Sequence, residues 1–99
     1  MRAKRVDANQ REIVETLRRL GLSVLHLHTV GMGAPDIAVG YGGCSMLAEI
    51  KTKKGKFTKA QNEMMRWWTG GVYLLRTADD CMSLRDTLVR WHRKINGSP

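Results

Sequence analysis

The chain has 99 residues and sets 17 lysines and arginines against 9 aspartates and glutamates, a formal net charge of +8. That fits one small domain, residues 1–99, with a thin core and a surface suited to a polyanionic partner, nucleic acid above all. No apolar run approaches the roughly 18 residues of a membrane-spanning helix, and no apolar stretch follows the basic Arg2, Lys4 and Arg5 as a signal peptide requires.

The first element is a helix over about Ala8 to Leu20, with Ile13, Val14, Leu17 and Leu20 as one apolar stripe. Asp7 can cap it, Gln10 stands at the third position of a capping box, and Gly21 ends it. Gln10 also falls near the stripe, so it reads either as a cap residue or as an inward, site-lining residue. Glu12 and Glu15 fall on the solvent side. Ser23 to His28 reads as a strand on which His26 and His28 share a face. A loop with Gly31 and Gly33 leads to Pro35. Ile37–Val39 and Met46–Lys51 read as two strands of a hairpin turned at Gly40, Gly42 and Gly43. Lys53, Lys54 and Lys56 form a basic loop. Thr58 caps a second helix, again with a glutamine, Gln61, at the third position. This helix carries Met64, Met65, Trp67 and Trp68 and stops at Gly70-Gly71. Met64 and Trp68 are expected inside, leaving Met65 or Trp67 for a partner. Val72 to Arg76 is a fourth strand. A third helix starts near Asp79 or Asp80 and shows Cys81, Leu84, Leu88, Trp91 and Ile95 at helical spacing. Asn96 to Pro99 reads as a frayed end. The order αβββαβα predicts an α/β fold, a mixed central sheet with helices on both faces.

Cys44 and Cys81 lack metal-ligand spacing and are expected as free thiols in a reducing cytoplasm. The chemistry sits in the hairpin. Antiparallel pairing brings Asp36 near Glu49, and the period of two puts Glu49 and Lys51 on one face. Each feature alone has an ordinary reading: a turn after proline, the solvent side of a strand, a solvated lysine loop. Together they suggest a site. Two carboxylates at one point suit a hard divalent cation such as Mg²⁺, and an adjacent ammonium suits holding a water or an anionic oxygen. Gln61 reads either as a cap or as a cleft residue. His26 and His28 lack companions at zinc-ligand spacing, and His28, at a strand end, is a candidate phosphate contact.

The segments GAPDIAV and GGCSMLAEIKTKKGKFTKAQNEMMRWW resemble the virus-type replication-repair nuclease (VRR-NUC) family of the PD-(D/E)xK nuclease superfamily, over about Ala8 to Arg76. The resemblance implies a restriction-endonuclease-like core and a phage or bacterial enzyme. Mg²⁺ or Mn²⁺ would be held by Asp36, Glu49 and the carbonyl of Ile50. Lys51 would orient the attacking water, with Gln10 and Gln61 lining the site. Family relatives show a glutamine near Gln10 with an acid just before it, for which Asp7 is the nearest match, whereas related junction resolvases carry a glutamate there. The implied activity is an endodeoxyribonuclease of DNA repair, a homodimer cutting branched DNA such as four-way (Holliday) junctions. Lys53, Lys54, Lys56, Lys59 and His28 would touch the DNA. The alternative is a non-catalytic nucleic-acid-binding module on the same fold.

Overall fold

The computed structural model describes residues 8–97. The elements are α1 (Ala8–Arg19), β1 (Ser23–His26), β2 (Ile37–Tyr41), β3 (Cys44–Ile50), α2 (Lys59–Trp67), β4 (Val72–Leu75) and α3 (Ala78–Ile95). They make a four-stranded mixed sheet in the order β1-β2-β3-β4 with three helices. The first three strands are antiparallel, and β4 runs parallel to β3 after the α2 crossover. The αβββαβα order matches the expectation. Among the described residues no helix is long and apolar enough to cross a membrane.

Local chemistry sets the boundaries. α1 buries Ile13, Val14 and Leu17. It ends in a Schellman motif: Leu22 N donates to Leu17 O at 3.1 Å and Gly21 N to Arg18 O at 3.0 Å, with Gly21 at φ 86. The expected cap at Asp7 lies outside the described residues. The β2–β3 hairpin turns on Gly42 and Gly43 alone, at φ 55 and 86, a two-residue turn with both central residues left-handed. Gly40, expected in the turn, sits in the ladder between Ser23 and Ser45.

β1 stops at His26 rather than His28. The register pairs His26 with Ile37, and Leu27 N still donates to Asp36 O at 2.8 Å. The next partner for the ladder is Pro35, which has no N–H to give. α2 ends at Trp67, three residues before Gly70, because Trp68 takes an extended conformation as C-cap. Trp68 therefore does not follow the helical face of Met64 and is 38% exposed, against the expectation that both are buried. Trp67 is 64% exposed, as expected for one of its neighbours, and Met65 is half-buried. α3 begins at Ala78, earlier than expected, because Thr77 caps it: Thr77 and Asp80 form a reciprocal capping box.

The core lies between the sheet and α1 with α3. Ile37, Val39, Ala48, Ile50 and Leu75 meet Leu17, Cys81, Leu84 and Leu88 there. Cys44 and Cys81 are free and buried. Burial pushes the Cys81 thiol up to about 11, with the Asp80 charge adding to the rise. Trp91 and Ile95 continue the stripe of α3 but stay exposed. An 18-residue helix spans about 27 Å, more than the strands beneath it. Its last turns reach the hairpin, where His92 Nδ1 lies 3.0 Å from Gly42 O.

Candidate active site

The hairpin register that pairs Ile37 with Ala48 places Asp36 opposite Glu49. Each carboxylate is latched by a main-chain N–H from across the hairpin. Asp36 N donates to Glu49 Oε1 at 3.0 Å, and Ile50 N donates to Asp36 Oδ2 at 2.9 Å. Both side chains are buried, at 2% and 1% exposure. Burying carboxylates is costly unless each is hydrogen-bonded. Two of them brought together at a strand end mark a candidate site.

Two further groups converge on Glu49 Oε2. Lys51 Nζ lies 3.2 Å away and Gln61 Nε2 donates at 2.5 Å. Gln61 caps the helix and also reaches the carboxylate pair. Its Oε1 accepts from Thr58 N at 2.9 Å while its N–H reaches Glu49. The N-terminus of α2 is thereby fastened to the carboxylate pair. A second fastening comes from the loop before Pro35. Gly33, at φ 76, lies so close to α2 that a Cβ there would sit 2.3 Å from the carbonyl oxygen of Ala60. The loop carrying Asp36 and the helix carrying Gln61 thus meet main chain to main chain.

Lys53, Lys54, Lys56 and Lys59 are exposed, on the loop after Lys51 and on the first turn of α2. The loop is held by Arg76, whose Nη1 donates to Thr52 O and, at 3.0 Å, to Lys53 O. Asn9 Nδ2 donates to Lys51 O at 3.2 Å. Sequence reasoning missed Arg76 and Asn9. Arg76 is legible only once the parallel register sets Leu75 beside Ile50. Asn9 has only its position beside Gln10 on the first turn of α1 to single it out.

Asp36, Glu49, Ile50, Lys51 and Gln61 are therefore one constellation. Gln10 is buried, as its place near the apolar stripe implied, and lines a cavity with His28. As ligands, the pair offers only oxygen. Among the described residues no group of three or more His, Cys, Asp or Glu could hold a metal. A donor set this small fits Mg²⁺, which is held by one or two carboxylates and fills its remaining positions with water and phosphate oxygens. It does not fit a structural zinc site. None of the family models matches the chain, and neither a curated protein nor a solved structure gives a significant match.

Proposed function

We propose that the protein is a metal-dependent endodeoxyribonuclease of the PD-(D/E)xK type, acting on branched DNA. The observation that carries this reading is the latched Asp36–Glu49 pair with Lys51 3.2 Å from Glu49 Oε2. The net charge of +8 supports a polyanionic substrate. Asp36, Glu49 and the Ile50 carbonyl are the residues that would hold Mg²⁺ or Mn²⁺. When bound, such a cation polarises a phosphate and lowers the pKa of a coordinated water.

The chain's own groups supply the rest. Gln61 and the main-chain N–H of Asp36 fix both oxygens of Glu49. Lys51 is in place to hold the oxygen of an attacking water and to neutralise charge developing on the phosphorus. Lys53, Lys54 and Lys56 present cations on a loop stiffened by Arg76, and Lys59 extends them onto α2; these would contact backbone phosphates. Trp67 would form part of a two-fold dimer surface, which supplies two sites for paired cuts across a junction.

The test is incubation of the protein with labelled duplex, flap and four-way-junction DNA, with Mg²⁺ or with chelator. Mg²⁺-dependent cleavage with preference for the branched substrates is the expected result. Tight binding with no cleavage under any metal would replace this reading by the non-catalytic binding module. Light scattering at micromolar concentration should give twice the monomer mass, reduced by Trp67→Glu. A monomeric protein that still makes paired cuts would remove the dimer from the mechanism.

A further inference from the structure

A cavity of about 220 Å³ opens between α1 and the end of β1, lined by Gln10, Arg11, Val14, Glu15, Arg18, His26 and His28. Its wall is built by two periodicities. Arg11, Glu15 and Arg18 recur at helical spacing on one side of α1. His26 and His28 stand two residues apart at the end of β1, with ring centroids 5.7 Å apart. Among the described residues the ion pairs are Lys51–Glu49 and Arg85–Asp86, so Glu15 engages neither arginine. Two arginines and two histidines, all solvent-accessible, thus border one space with a single acidic residue.

The cavity is tied to the candidate active site on both sides. Asn9, beside Gln10, donates to Lys51 O, and Leu27, beside His28, donates to Asp36 O. A ligand held here is therefore placed at a fixed offset from the carboxylate pair. Guanidinium forks and ring N–H groups recognise tetrahedral oxyanions through charge-assisted hydrogen bonds.

We infer that this cavity binds a phosphate group of the nucleic-acid backbone, separate from the phosphate at Asp36 and Glu49, through Arg11, Arg18, His26 and His28. The anion site stands on its own lining; its assignment to nucleic acid rests on the nuclease reading.

The experiment uses the full chain in chelator, so that no cleavage occurs. Imidazole ring signals of His26 and His28 are followed by NMR during titration with a short single-stranded oligonucleotide and, separately, with inorganic phosphate. Both ligands should move both rings, the oligonucleotide at lower concentration. Arg11→Ala/Arg18→Ala should weaken oligonucleotide binding by about tenfold. With one phosphate fewer neutralised, the slope of log K against log salt should fall by about 0.7. Glu15→Gln, which removes the one carboxylate in the wall, should tighten binding. Arg90→Ala/Arg93→Ala removes the same charge from α3 and should do less. Equal weakening by the two double variants would reduce the effect to net charge and overturn the site. Ring signals that move with inorganic phosphate but not with the oligonucleotide would overturn the backbone assignment. Ring shifts with DNA in a protein that never cleaves would leave the cavity standing and remove the nuclease reading instead.

Discussion

On the face of the sheet that carries Ile37, Val39, Ala48 and Leu75, α1 and α3 close over a dry core in which Leu17, Leu84 and Leu88 are wholly buried. On the face that carries Leu25, Leu47 and Glu49, Leu25 is 64% exposed and α2 reaches the sheet near Leu47 through Met64. Beside the buried Met64 lie three buried polar side chains, Asp36, Glu49 and Gln61. One face is closed by apolar contact alone, while the other sets hydrogen-bonded carboxylates beside a smaller apolar contact made by Met64. The main apolar core and the candidate site thus lie on different sides of the same four strands.

That separation can be broken by measurement. The largest expected effect is on activity. Asp36→Asn keeps an oxygen to accept from Ile50 N but removes the charge, and Mg²⁺-dependent cleavage should be abolished while DNA binding and the unfolding midpoint stay close to wild type. Cleavage near the wild-type rate would take Asp36 out of the site. The mirror experiment is Leu84→Ala on the other face, which should cost about 2–5 kcal/mol of stability by denaturant titration. Its cleavage rate per folded molecule should be unchanged at temperatures well below unfolding. If it falls with stability, the two faces are coupled and the division between them fails.

Lys51→Ala sharpens the picture within the site. It should lower the single-turnover rate about 10²- to 10³-fold at saturating Mg²⁺. An unchanged rate would make the Lys51–Glu49 pair a structural contact only. The smallest effect belongs to the open face away from the carboxylates. Leu25→Ala should change stability by no more than about 0.5 kcal/mol. A drop comparable to that of Leu84→Ala in dilute protein would mean that something covers this face in solution.

What could be read from the sequence follows the same division. The Asp36–Glu49 register was legible because a period of two and a glycine turn fix which residues oppose one another. Gln61 was legible as a cap and as a neighbour of the carboxylates, and one side chain makes both contacts, using its two ends. The elements at the periphery were less legible. The Thr77 cap was overlooked although Asp80 stands three residues after it. Trp68 departs from the face of Met64 because it is the first residue to leave the helix, which spacing alone does not reveal. Trp91 and Ile95 obey the spacing of a buried stripe, yet periodicity carries no information on how far the sheet beneath extends.

Gly33 has a consequence of another kind. It has no side chain to bind or react, yet it sets the clearance between the strand that bears Asp36 and the helix that bears Gln61. A survey of inactivating substitutions would return it beside Asp36 and Glu49, and its intolerance would measure distance rather than chemistry. No truncation of a neighbouring side chain can restore room for a larger residue, because the obstacle is the carbonyl of Ala60. For anyone reshaping this cleft, position 33 is a spacer whose thickness is already at its minimum.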